Sequence, residues 1–594
     1  MRAHGVLLSL LLLSPGDAQL WTAAIAGTAN ASGAINAVDS NSSFAYPTGA
    51  AEVRTATSST TLSAIVADAG NNLLRGLRLQ MSSTPINGAA LSLYMASAVS
   101  TVAGNGTAGF ADGYGTACTT RVMFSRPWGI STFPLDVTSS KYLIWVADTG
   151  NHAVRGVSWT PGAAVTSANR RVSTLTGSGI FGNADTAAAS WTMTRTAATA
   201  GVTFGSLAGI ASTGLVAFVV DTHFHRVRAV ITQNNSNEPI ARCSTTSFSA
   251  SGTKAGTGTP VATTSTLPCA TPYAALGPYP NPALRPVLQS GGYGLGYIEA
   301  GASFAVAGGG GSLAQAGSAA SNGAGSAALF SSPTGIAWDG NASAAAAFTW
   351  TLYVADTGNS AIRRIVASMR RDPAEPPSFS ATTTIIAGGG GDGATAGYAN
   401  GAGTAALFSS PQGVTASGTL LFVADSGNNV IRRIDLAGNG TPAAVSVSTY
   451  AGAAAAPTIG AANGYDADGS HASFNAPTGI LMASQGFVVT VDTNNDQLRA
   501  SFPVLDPSPT ESCSSSAMPS ASASVMASES NSPSPSPSQE GITSIIASMT
   551  PSTSPSTSPS LSPSLSLSLS PSPSPSPSLS PSLVTTDNPP PCCT

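Results

Sequence analysis

"LYVADTGNSAIRRI" spans Leu352–Ile365, and "LFVADSGNNVIRRI" spans Leu421–Ile434. The motif aspartates, Asp356 and Asp425, stand 69 residues apart. Repetition at such a period points to units that bury a common core by stacking. Four weaker copies complete the set. They are "AIVADAGNNLLRGL" with Asp68, "IWVADTGNHAVRGV" with Asp148, "AFVVDTHFHRVRAV" with Asp221 and "VVTVDTNNDQLRAS" with Asp492.

Each copy reads as strand, turn, strand. The first half is apolar and partly β-branched, as in Leu352, Tyr353 and Val354. The D-[TSA]-G-N core has turn chemistry: Asp and Asn tolerate the left-handed region and Gly supplies positive φ. In the second half Ile362 and Ile365 break strict alternation, which predicts a bulge or an early strand end. A further motif precedes each copy. "TIIAGGGG" (Thr384–Gly391) reads as a short strand stopped by glycines, which are expected near the crowded axis of a ring. "AALFSSPQGV" (Ala405–Val414) follows, with Phe408 to fill a core and Pro411 to open a strand. Four short strands per unit, in six units, predict an all-β, six-bladed β-propeller.

Spacing and closure support that count. The six aspartates are separated by 80, 73, 135, 69 and 67 residues. The long gap holds Ser244–Gly301, rich in Pro, Gly and Ser and lacking both motifs, so it reads as an insertion (about 231–302) between the last two strands of the third blade. "TAAIAG" (Thr22–Gly27) precedes the first complete copy, and no such strand follows the last. The amino-terminal strand should therefore complete the final blade and close the ring.

The Asp-Thr-Gly-Asn turn, the preceding "YVA", the following "IRRI" and the upstream "AG.G" and "F..P.G" elements resemble the NHL repeat. The resemblance covers Thr22 to about Phe502. It is weakest at "DTHFH", which lacks Gly-Asn, and at "DTNNDQ", which lacks Gly. It implies an NHL-type propeller. That family includes protein-binding, RNA-binding and sensor modules and an amidating lyase, so the fold alone does not choose a function.

The chain has 594 residues, of which 8% are charged, and a formal net charge of -4. No Lys/Arg block suggests a nucleic-acid partner. Arg2 and His4 precede "VLLSLLLL" (Val6–Leu13), and Gly16 and Ala18 follow as small residues. Residues 1–18 thus read as a secretory signal peptide, with an apolar run too short to span a bilayer. Residues 19–505 form the expected propeller. From 506 to 594 Ser, Pro, Thr and Ala dominate, which predicts a disordered, polyproline-like tail. The expected location is secreted, extracellular or cell-wall associated, with no membrane span after signal cleavage. Cys243 and Cys269 flank the irregular insertion and are a disulfide candidate; Cys118, Cys513, Cys592 and Cys593 have no evident mates. Asn30, Asn41, Asn105, Asn234, Asn341 and Asn439 begin N-x-[ST] triplets and are candidates for N-glycosylation.

Candidate chemistry is sparse. The motif aspartates Asp68, Asp148, Asp221, Asp356, Asp425 and Asp492 are read as structural, each carboxylate accepting N–H bonds in its own turn. His223 and His225 stand two apart and would share a face on a strand, where they could ligate zinc. "DADGS" offers Asp466 and Asp468 for calcium, and "DTNND" offers Asp492, Asn494 and Asp496, but neither completes an EF-hand. Catalytic residues are not identified. The sequence therefore favours a secreted binding or scaffold module that uses its loop face to bind an extracellular protein or matrix glycan. The alternative is a metal-dependent lyase or lactone hydrolase acting in the channel.

Overall fold

The computed structural model describes residues 18–38, 41–53, 61–86, 89–136, 141–163, 170–185, 201–214, 216–232, 302–309, 322–343, 348–372, 375–390, 393–436, 444–452 and 472–505. Among them the chain forms six antiparallel sheets of four or five strands. Blade 5 shows the pattern. Its strands run Pro411–Ser417, Leu420–Asp425, Val430–Asp435 and Ser446–Ala451, hydrogen-bonded in that order. A two-residue strand, Gly401–Ala402, borders the outermost one.

The protein is a six-bladed propeller, and the amino-terminal strand locks the last blade. Ala18–Ala26 pairs antiparallel with Gln497–Leu505, with Trp21 opposite Phe502 and Ala23 opposite Ala500. Blade 6 thus takes three strands from the carboxyl end of the ring and one from its beginning. Blade 3 places Arg226–Ile231 beside Ser303–Gly308, so the long insertion enters between its last two strands. The insertion residues 233–301 lie outside the described residues, as do 1–17 and 506–594.

Packing explains why both faces of each blade are apolar. Six buried clusters form, one at each junction between neighbouring blades. Ile362 packs toward blade 5 and Ile365 toward blade 3. Their opposite parity is thus what a blade sandwiched between two neighbours requires. A register shift does occur beside them, between Ile362 and Arg363.

Glycine at the axis closes the ring. At or just before each innermost strand lies a segment ending in glycine, Pro-x-Gly in five blades and Leu207-Ala208-Gly209 in blade 3, whose backbone lies against the next blade. A carbon added at Gly49 of blade 1 would lie 2.3 Å from the Trp128 carbonyl oxygen of blade 2. Blade 6 closes the circle, because a carbon added at Gly479 would lie 2.2 Å from the Thr48 carbonyl of blade 1. The described glycines of "TIIAGGGG", Gly388, Gly389 and Gly390, are not at the axis. They end the outer strand Glu375–Gly388, where Gly388 (φ 80°) packs against Phe408.

The repeated turn also differs from expectation. After every aspartate but Asp221 the chain makes a 3-10 turn, as at Thr357–Asn359, and the following residue is left-handed: Ser360 at φ 50° and Asn429 at φ 55°. The motif glycine is not the positive-φ residue. It is needed for close approach, since a carbon on Gly358 would sit 2.4 Å from the Ser331 hydroxyl. Its N–H donates to the Ser331 carbonyl at 2.8 Å.

Two positions in the turn tie neighbouring blades. The hydroxyl after the aspartate donates to the carbonyl that opens the next blade: Thr149 to Leu207 at 2.6 Å, Thr222 to Pro333 at 2.7 Å and Thr357 to Pro411 at 2.8 Å. The left-handed residue reaches the same segment. Asn72 accepts from the Arg126 N–H at 2.9 Å, and Asn429 from the Ala476 N–H at 2.8 Å. Asp496 accepts from the Tyr46 N–H at 2.7 Å, which joins blade 6 to blade 1.

Candidate functional site

The six motif aspartates are buried, and each is one member of a network. In blade 5 the Asp425 carboxylate accepts from the Ser409 N–H at 2.8 Å, Asn428 Nδ2 at 2.9 Å and Arg432 Nη1 at 2.9 Å. The backbone donor comes from the loop before the blade, not from the turn itself. The Arg432 guanidinium also lies over the Phe408 ring at 4.9 Å. Aspartate, asparagine at +3, arginine at +7 and the loop phenylalanine recur in blades 1, 2, 4 and 6. They are Asp68/Arg75 on Phe44, Asp148/Arg155 on Phe124, Asp356/Arg363 on Phe330 and Asp492/Arg499 on Phe474. Burial pushes the carboxyls up, those of Asp425 and Asp492 to about 6, while the Arg, Asn and backbone donors pull them down. All the carboxylate's partners are internal, so the network serves as a clamp that seats the loop on the hairpin. Sequence reasoning missed the arginine, although it stands seven residues after every motif aspartate.

Blade 3 departs from this pattern. Phe224 replaces the asparagine, and Arg228 lies 3.5 Å from Asp221. Arg228 instead makes its short ion pair, 2.6 Å, with Asp185, and Arg226 joins the same carboxylate at 3.2 Å.

His223 and His225 lie in a turn between Val216–Asp221 and Arg226–Ile231, not on a strand, so the shared strand face expected of them does not exist. His225 Nδ1 accepts from the Ser332 N–H at 2.8 Å. His223 packs against Phe181 with ring centroids 4.7 Å apart. Among the described residues no three His, Cys, Asp or Glu side chains gather as a metal site would require. Asp466 and Asp468 lie outside the described residues, as do Cys243, Cys269, Asn234 and Asn439. Asn30, Asn41 and Asn105 are exposed. Asn105 Oδ1 accepts from the Thr107 N–H of its own triplet at 2.9 Å. Cys118 is buried, and burial pushes its thiol up to about 11.

The axial channel is narrow, with a cavity volume of about 70 Å³. It is lined by Thr48, Trp128, Thr334, Gln412, Thr478 and the ring glycines with their apolar neighbours. Among the described residues that line it, none is titratable.

Exposed apolar side chains cluster on the face that carries the motif turns. Phe110, Ile180 and Phe181 are 42%, 65% and 48% exposed. They belong to connections that follow outer strands of blades 1 and 2. A carbon added at Gly179 would lie 3.3 Å from the Phe110 ring, so the two connections touch. Phe181 meets His152 edge-on at 5.4 Å as well as His223. Turn and connection are joined directly, since Asn151 Nδ2 donates to the Gly109 carbonyl at 2.6 Å. The result is an aromatic and imidazole surface built from blades 1, 2 and 3.

No protein-family model matches the chain. A search of curated proteins finds no match. Among solved structures, the chain is similar to an auxiliary nutrient binding protein from Bacteroides thetaiotaomicron, at 12% identity and a TM-score of 0.40 over 82% of this chain and 77% of that one. It is also similar to the periplasmic gluconolactonase of Pseudomonas aeruginosa, at 10% identity and a TM-score of 0.32 over 81% and 91%.

Proposed function

We propose that this chain is a secreted, NHL-like propeller that binds an extracellular protein or matrix glycan on its turn-bearing face. The observation that carries the reading is the exposed Phe110–Ile180–Phe181 surface with His152 and His223 at its edge. Aromatic rings with polar neighbours suit both the C–H faces of sugars and the apolar anchors of proteins. The motif residues are consumed by internal bonding, which leaves the connections free to vary from blade to blade. The signal-like amino terminus and exposed N-x-[ST] triplets at Asn30, Asn41 and Asn105 support an extracellular glycoprotein. The Ser/Pro-rich segment 506–594 would then serve as a stalk.

The test is binding of the full chain to immobilised matrix polysaccharides and matrix proteins, beside the Phe181→Ala and Ile180→Ser variants. Binding should fall by roughly tenfold or more with Phe181→Ala, the loss expected of a central anchor. Equal binding by all three proteins, or none by the native chain, would count against this surface.

A further inference from the structure

At five of the six junctions the left-handed residue four after the motif aspartate latches a blade to the next. At three junctions the latch is an oxygen, from Asn72, Asn429 or Asp496. On either side of blade 3 it is an imidazole, and the two imidazoles work with opposite polarity. His152 Nδ1 faces the Gly205 carbonyl at 2.7 Å, so it must donate. His225 Nδ1 faces the Ser332 N–H at 2.8 Å, so it must accept.

We infer that the junction between blades 3 and 4 is a proton-operated latch, closed by neutral His225 and released when its Nδ1 takes a proton. A neutral imidazole accepts at Nδ1 and carries its hydrogen on Nε2. The imidazolium carries N–H on both nitrogens and has nothing to offer the Ser332 N–H. Protonation would set two donors against each other at 2.8 Å. The same proton leaves the His152 latch intact, because that nitrogen already donates. Asp496 retains an acceptor oxygen even when protonated.

The surroundings favour release in acid. His225 is half-buried and left-handed at φ 52°, and Ser332 opposite it is left-handed at φ 43°. The opposing Ala328–Pro333 segment and the adjacent strand Ser303–Gly308 carry no titratable side chain. The charged and titratable groups nearby are His223, Asp221, Arg226 and Arg228 on its own hairpin, Asp185 paired with both arginines, and Asp356 and Arg363 of blade 4, which bond the Ser331 N–H and the Leu329 carbonyl of the opposing segment. Burial, and then the His223 charge, lower the pKa of His225. A folded value below the unfolded one, near 6.5, has a definite sign. The latch stabilises the junction fully above the unfolded value, and that contribution is lost as pH falls through the folded value. Blade 3, with its looser Asp221–Arg228 pair, is where such a release would be felt.

The test is hydrogen–deuterium exchange of the full chain at about pH 7.5 and about pH 5, which straddle histidine titration. Rates are converted to protection factors so that intrinsic pH effects cancel. Protection of the peptide around Ser332 should fall about tenfold in acid, as expected for one lost hydrogen bond. The peptide around Gly205 should keep its protection. His225→Asn places at this junction the acceptor that Asn72 and Asn429 supply elsewhere, and it should abolish the pH effect. Unchanged protection near Ser332 in the native chain, or the same fall in His225→Asn, would overturn the inference. Neither result depends on the ligand-binding surface.

Discussion

Asp425→Ala should destabilise the propeller by roughly 3–5 kcal/mol, the usual result of stripping one partner from a buried ion pair. Arg432 would keep only neutral acceptors: the Leu407 and Ala399 carbonyls at 2.9 and 2.7 Å and Asn400 Oδ1 at 2.9 Å. Its guanidinium cannot shed its proton to escape. The loss should also unseat a loop, because Asp425 holds the Ser409 N–H that leads into the innermost strand. Removing the other partner should be milder. In Arg432→Met, which keeps most of the volume, the Asp425 carboxyl is already pushed up to about 6 by burial and can take a proton. The double variant should recover part of the loss of Asp425→Ala. Urea midpoints of the four proteins measure this order. Equal midpoints for Asp425→Ala and the native chain would show that the network does not hold the blade.

Gly413→Ala should be as damaging, for a steric reason. Its added carbon would lie 2.1 Å from the Thr478 carbonyl oxygen and 3.1 Å from Ile480 Cγ2. The oxygen belongs to the backbone of the next innermost strand, so relief requires moving a whole blade. In a closed ring that movement must pass to every other junction. Gly201→Ala is the matched control, since nothing lies within 4 Å of the added carbon. Soluble yield and the thermal midpoint should collapse for Gly413→Ala and hold for Gly201→Ala. A native-like Gly413→Ala protein would mean that the blades are spaced too widely at the axis for Gly413 to press on the Thr478 carbonyl.

Much of this fold can be read from the sequence because the repeat carries its own punctuation. Six aspartate turns, the glycine-ended outer strands and the unmatched "TAAIAG" segment are enough to count blades and to predict the closing strand. What the local pattern conceals is the partner of each residue. Arg363 and Arg432 look like polar strand residues until three dimensions bring them onto Asp356, Asp425 and the loop phenylalanines. A cation repeated seven residues after every motif aspartate, in a chain with 8% charged residues, is the signal that was available. The glycines mislead for a related reason. Gly358 and Gly388 look alike in sequence, yet one is pressed against Ser331 and the other has positive φ beside Phe408. His223 and His225 are legible only as a spacing. They occupy the same four-residue turn as the other copies, between Asp221 and Arg226, and their partners lie more than 40 and 100 residues away in Phe181 and Ser332.

The amino-terminal strand closes the ring, and amide exchange of residues 20–26 tests that closure most directly. Pairing of Trp21 with Phe502 and Ala23 with Ala500 predicts that the amides of residues 20–26 that point toward Gln497–Leu505, about every second one, exchange as slowly as the protected amides of that strand, and only when the last blade opens. Rapid exchange throughout residues 20–26 beside a protected Gln497–Leu505 strand would contradict closure.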